Sequence, residues 1–109
     1  MSKPKSQYII IYTTFPHRRQ ARRLAMNLIK EKLVACANIF KIDAIYKWEE
    51  KLEESREYSV FLKTLAELYP KVEKRIKELH PNEIPCIISW KIEQGSKDFL
   101  DWIANNVEA

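Results

Sequence analysis

His80 and Glu83, three residues apart, form the pair in this chain best suited to grip a metal ion. Imidazole and carboxylate are borderline ligands that accept zinc, copper or nickel. Cys36 adds a soft thiol, although its Ala35-Cys36-Ala37 setting suits close packing between helix and strand equally well. Two ligands are too few for a closed site, so a complete one would gather donors from more than one chain. The competing role for His80 is a cap on the last carbonyls of a helix, where the dipole favours a cation. Glu57 and Lys63 have an even spacing and so share one face of a strand, either lining a polar cleft or pairing across a sheet surface.

Other chemistry is thin. The chain has no Gly-rich phosphate loop, nucleophile motif or metal-hydrolase spelling, and His17 stands beside Arg18 and Arg19 with no carboxylate in local reach. A non-enzymatic role is expected. Arg18, Arg19, Arg22 and Arg23 make i, i+4 like-charge pairs near a helix start, where the macrodipole disfavours them. They form an anion-binding patch or a solvated face paired with acidic groups. RNA-recognition modules need glycine before an aromatic in their strand signature; the only glycine is Gly95, beside a polar break, so nucleic acid is not expected as a partner. Cys36 and Cys86 have no CxxC or zinc-type spacing and read as two small buried thiols.

The elements that must position these groups follow from periodicity. Tyr8 to Tyr12 is a continuous apolar run suited to a central strand. Pro16 opens a helical stripe of Ala21, Leu24, Ala25, Leu28 and Ile29. Two strands then meet at Trp48-Glu49-Glu50-Lys51, with Ile42, Ala44, Tyr46 and Trp48 on one face of the first, and Tyr58, Val60 and Leu62 on one face of the second. Thr64 and Glu67 spell a capping box for a second helix. That helix carries Leu65, Leu68, Tyr69, Val72, Ile76 and Leu79; Pro70 either kinks it or starts its main part. Cys86 to Ile92 is a further strand, Ser96 an N-cap, and Phe99, Trp102 and Ile103 a short helix that seals the domain.

The sum, β-α-β-β-α-β-α, is an α/β (α+β) ferredoxin-like sandwich with a C-terminal helix and a long protruding hairpin. Residues 1–6 read as a flexible polar tail and residues 7–109 as a single domain. From Ile39 to Glu49 the first arm reaches ~36 Å at ~3.3 Å per residue. A domain of this size has a radius of gyration of about 13 Å, so the arm overhangs its core. Tyr46 and Trp48 on it are expected to anchor a neighbouring subunit.

At these residues the chain resembles the CutA divalent-cation-tolerance family. Tyr12-Thr13-Thr14-Phe15-Pro16 matches the end of that family's first strand, and Leu33-Val34-Ala35-Cys36-Ala37-Asn38 is similar to its (L)(I/V)-A-C-A-N signature. Tyr46 to Glu53 resembles the hairpin motif Y-x-W-x-G-K-(I/L)-E; Glu57, Lys63-Thr64, His80 to Pro85 and Trp102 follow in the family's order. The resemblance implies a homotrimer joined through strand edges and hairpins, divalent metal ions (copper or zinc) as ligands, and a trimer like that of the PII signalling proteins. It also favours a cleft between subunits at Glu57 and Lys63. Two departures stand out. The turn glycine is Glu50 here, and the cysteine and second histidine of copper-associated bacterial members are replaced by Thr13 and Leu79.

Composition is consistent with that reading. A 46% hydrophobic fraction over 109 residues supports one core, and a net charge of +4 invites only weak attraction to polyanions. No apolar run approaches the ~18 residues of a membrane span, and the polar start has no signal-peptide pattern. The expected address is cytoplasmic, with no membrane partner.

Overall fold

The computed structural model describes residues 7–109; the tail expected at residues 1–6 lies outside the described residues. Four strands form one sheet: β1 (Tyr8–Phe15), β2 (Cys36–Trp48), β3 (Lys51–Leu65) and β4 (Ile87–Lys91), in the order β2-β3-β1-β4 with every neighbouring pair antiparallel. Helices α1 (Arg18–Lys30) and α2 (Tyr69–Leu79) cross one face, and α3 (Lys97–Asn105) follows β4. This is the expected ferredoxin-like arrangement, with β1 central.

Alternation along the strands sorts side chains onto two faces. Ile9, Ile11 and Phe15 of β1 join Val60 and Leu62 of β3 against Ala21, Leu24 and Leu28 of α1 and Val72 and Ile76 of α2. On the other face, Leu65, paired with Tyr8, meets Ile103 and Ala104 of α3. Only that corner is covered. The helical stripe of α1 is buried except for Ile29, which is exposed. In α3 the expectation fails for Phe99 and Trp102, which stack on each other at 5.6 Å on the exposed side while Ile103 and Ala104 make the seal. Ser96 caps this helix as expected, its Oγ accepting from the Phe99 N–H.

One local expectation is corrected, and of the two readings of Pro70 the second holds, Pro70 opening the main helix after a separate turn. Thr64 is a buried residue of β3, not a helix cap, and its hydroxyl donates to the Leu33 carbonyl at 2.6 Å, tying the sheet to the end of α1. A separate 3₁₀ turn, Ala66–Leu68, precedes α2, and Pro70 sits in the first turn of α2. A proline there removes only an N–H that has no helical partner anyway. After α1, Lys32 takes a left-handed conformation (φ 60°), and Leu33 N–H bonds back to Leu28 O, closing a Schellman motif without glycine.

The hairpin outruns the body. The register of β1 against β3 ends at Phe15↔Tyr58, while β2 and β3 continue together from Ile42↔Glu57 to Trp48↔Lys51. The molecule is accordingly 52 × 25 × 21 Å, with a radius of gyration of 14.8 Å. At the tip Glu49 and Glu50 form a two-residue turn, both with positive φ (50° and 68°). This is the backbone of a type I′ hairpin, which matches strand twist but favours Asn-Gly over Glu-Glu.

Candidate functional site

The overhanging arm makes one wall of a groove of about 720 Å³, a size that holds a small molecule. The arm presents Ile42, Ala44, Tyr46, Trp48, Glu53 and Glu57 to it, all on one face by alternation. The second wall is the stretch between α2 and β4, with Asn82, Glu83, Ile84 and Cys86, and the floor is Tyr12 and Thr14 of β1. Tyr46 and Trp48 keep 43% and 45% of their surface exposed. The arm also exposes apolar side chains on its opposite face, Ile45 and Leu52, which sequence patterning of the Tyr46–Trp48 face had passed over.

Negative charge gathers at this groove. Ser55 Oγ donates to the Glu57 carboxylate at 2.8 Å, and among the described residues no ion pair engages Glu57. Partial shielding of the thiol from water raises Cys86 above its ordinary value, and the Glu57 charge raises it further. Burial likewise raises the Tyr12 hydroxyl; a hydrogen bond with Ser59 opposes this, and the Cys86 and Glu57 charges add to it. Cys86 is exposed and Cys36 half-exposed, so neither is the buried thiol expected from spacing.

His80 has a different task from either one expected of it. Its ring stacks on Phe15 at 4.3 Å. Nε2 bonds to the Thr14 carbonyl, and Nδ1 accepts from the Asn82 backbone N–H at 3.1 Å. A carbonyl can only accept, so Nε2 carries the proton and the ring is the neutral Nε2–H tautomer. It caps no carbonyl of its own helix; it fastens the end of α2 to the end of β1 and shapes the loop that carries Glu83 into the groove.

The structure does not bring His80, Glu83 and Cys36 together. Cys36 pairs with Lys63 at the far end of the arm, and both ring nitrogens of His80 are engaged. Among the described residues of one chain, no group of three or more His, Cys, Asp or Glu side chains is placed to hold a metal ion. A closed zinc site needs four ligands, so the described residues of one protomer do not supply the sphere that the family resemblance implies. Thr13, where copper-associated members carry cysteine, is fully buried with its Oγ1 unpartnered.

Glu57 and Lys63 share a face, as their spacing requires, but part company along it. Glu57 lines the groove, whereas the Lys63 ammonium donates to Asn38 Oδ1 at 2.7 Å and lies 5.7 Å over the Phe99 ring near α3. Between them the uncovered face carries a run of aromatics: Phe61 contacts Tyr12 at 5.2 Å, Phe40 at 5.3 Å and Trp90 at 5.7 Å. Among the described residues no ion pair engages Arg18, Arg19, Arg22 or Arg23. No described helix is long and apolar enough to cross a membrane.

Comparison with known proteins places this geometry. Residues 9–106 match the model of the CutA1 divalent ion tolerance protein family. The divalent-cation tolerance protein CutA of Pyrococcus horikoshii is 43% identical over 87% of this chain and 93% of its own length. The chloroplastic protein CutA of Arabidopsis thaliana is 32% identical over 90% of this chain and 54% of its own length. Among solved structures, the periplasmic divalent cation tolerance protein CutA of Archaeoglobus fulgidus superposes with a TM-score of 0.91 at 40% identity, covering 93% of this chain and 99% of that one. CutA1 of Shewanella sp. SIB1 superposes with a TM-score of 0.92 at 32% identity, covering 96% and 99%. The chain belongs to the CutA1 divalent ion tolerance family.

Proposed function

We propose that this protein acts, without catalysing a reaction, in the response to divalent metal ions as a cytoplasmic homotrimer. The observation that carries the reading is the arm. Its tip exposes Tyr46, Trp48, Ile45 and Leu52 beyond the body, and the adjoining sheet face exposes Phe40, Ile88 and Trp90. Apolar surface of that extent marks a contact with another chain, and each square ångström buried contributes about 25 cal/mol. Copies of this chain are the partners proposed, with Tyr46 and Trp48 as anchors.

Copper or zinc is then held by donors from more than one protomer, because the described residues of one protomer form no ligand set. Glu83 is the foremost donor, an exposed residue lining the groove, with Cys36 at the base of the arm as a second; His80 contributes by holding the loop of Glu83 in place. Calorimetric titration of the assembled protein with copper and zinc tests this. Binding that weakens about tenfold in Glu83→Gln is expected. Binding unchanged in Glu83→Gln, Cys36→Ser and His80→Ala alike would remove the metal reading.

A second reading, a small-molecule sensor resembling the PII proteins, is favoured by the groove itself. Its volume and its mixture of aromatic walls with a few polar groups are those of a ligand site.

A further inference from the structure

Arg18, Arg19, Arg22 and Arg23 work against the helix that carries them. They crowd the positive end of the α1 dipole, repel one another across i, i+4, and have no acidic residue within α1 to offset them. His17 at the N-cap adds no side-chain hydrogen bond. Among the described residues none of the four is in an ion pair, whereas both arginines outside α1 are: Arg56 with Asp43, and Arg75 with Glu31 and Glu78. Helix α2, tied to the end of α1 by Arg75 and Glu31, adds exposed Lys71 and Lys74, also outside any ion pair among the described residues. Local choices that cost helix stability and find no partner within the chain are expected at functional surfaces.

The patch is not purely ionic. Met26 and Ile29 fall on the same outer arc of the helix as Arg19 and Arg22, turned away from the buried Ala21, Leu24 and Leu28. Met26 is 53% exposed and Ile29 42%. We infer that this face docks an acidic segment of another protein, with carboxylates against the arginines and an apolar side chain about two turns away against Met26 and Ile29. The planar fork of arginine meets a carboxylate through two parallel hydrogen bonds, and exposed methionine adapts to varied apolar partners. A phosphate backbone makes no use of the apolar pair, and α1 has no aromatic ring on which bases could stack. A lipid surface needs an apolar helix face, and that of α1 is buried against the sheet. Tyr12 and Phe61 lie across the sheet from α1, so the assembly proposed through the arm and the aromatic face leaves this surface open.

The probe is a blocked helical peptide of about four turns. It carries glutamates on one turn and a leucine two turns away, and its twin has alanine in place of the leucine. Each is titrated into the isotope-labelled full chain at ~0.15 M salt, where exposed charges are screened beyond ~8 Å, while the α1 backbone amides are followed by NMR. The leucine peptide is expected to shift the α1 amides and to bind at least about fivefold more tightly than its twin. Arg22→Gln and Arg23→Gln are each expected to weaken both peptides several-fold. Met26→Gln is expected to bring the leucine peptide down to the level of its twin and to leave the twin unchanged. Silent α1 amides, equal binding of the two peptides, or full affinity in the arginine variants overturns the assignment. So does tighter binding of duplex DNA or of phosphatidylglycerol vesicles at the same salt.

Discussion

Leu52 and Leu62 lie on the same strand, on the same face, ten residues apart, yet one is 78% exposed and the other fully buried. The backbone around them is alike: both are paired across β2, Leu52 with Lys47 and Leu62 with Ala37. What differs is what lies around them. Leu62 packs with residues of α1 and α2, whereas Leu52 lies past the point where β1 stops pairing with β3. Regular hydrogen bonding therefore carries the ribbon out of the body without regard to burial. The apolar side chains on the projecting part, Ile45, Tyr46, Trp48 and Leu52, are left exposed, which is the ground for the proposed assembly.

The largest effect that can break this contrast is a pair of truncations on β3. Leu62→Ala is expected to destabilise the protein by about 2–5 kcal/mol in urea unfolding, from lost transfer energy and the cavity left behind. Leu52→Ala is expected to stay within about 0.5 kcal/mol under conditions that dissociate the assembly. Similar losses at both sites would mean that the arm is part of the folding core.

The tip turn sharpens the contrast in the opposite direction. Glu49 and Glu50 both hold left-handed backbone, where a side chain costs roughly 1–2 kcal/mol. Glu50→Gly is expected to raise stability by about 1 kcal/mol at fixed protomer concentration, part of the relief being offset by glycine's freedom in the unfolded chain. An unchanged urea midpoint would show that strain at the tip is relieved in another way.

Much of this was legible in the residues. Period-two spacing placed the hairpin, the central apolar run placed β1, and the order of elements fixed the layer in which the helices lie. The ends were less legible: β2 begins at Cys36 rather than Ile39, and the last strand runs Ile87–Lys91, shorter than Cys86 to Ile92. The misreadings share a physical cause, which is partners distant in sequence. The Thr64 hydroxyl has Leu33 O to donate to, so a local capping spelling loses to a tertiary bond. His80 meets the Thr14 carbonyl sixty-six residues away, and this removes the free imidazole that its type suggested. The groove draws on β1, the arm and the loop before β4, so no single motif spells it.

The smallest expected effect is electrostatic and again separates body from arm. In the body, hydrogen bonds from Arg75 hold the Glu31 carboxyl below the usual carboxylate range, burial opposing in part and the Arg75 charge adding. A carboxylate with a lowered folded value stabilises above its unfolded value and loses that contribution as pH falls through the folded one. Melting temperature is thus expected to decline on acidification below the ordinary carboxylate range, and less steeply in Arg75→Gln. On the arm, Arg56 and Asp43 approach to 3.6 Å with both side chains more than two-thirds exposed, and water screens such a pair. Asp43→Asn is expected to change the melting temperature at neutral pH less than Arg75→Gln does. Equal sensitivity in the two variants would erase the distinction.

The mass of the protein in dilute solution tests the arm most directly. Sedimentation equilibrium of the unaltered chain is expected to give three times the 13.0 kDa protomer, and the Tyr46→Ala, Trp48→Ala double variant a lower mass with the fold retained by circular dichroism. A wild-type species of 13.0 kDa that persists as concentration is raised would contradict assembly through the arm.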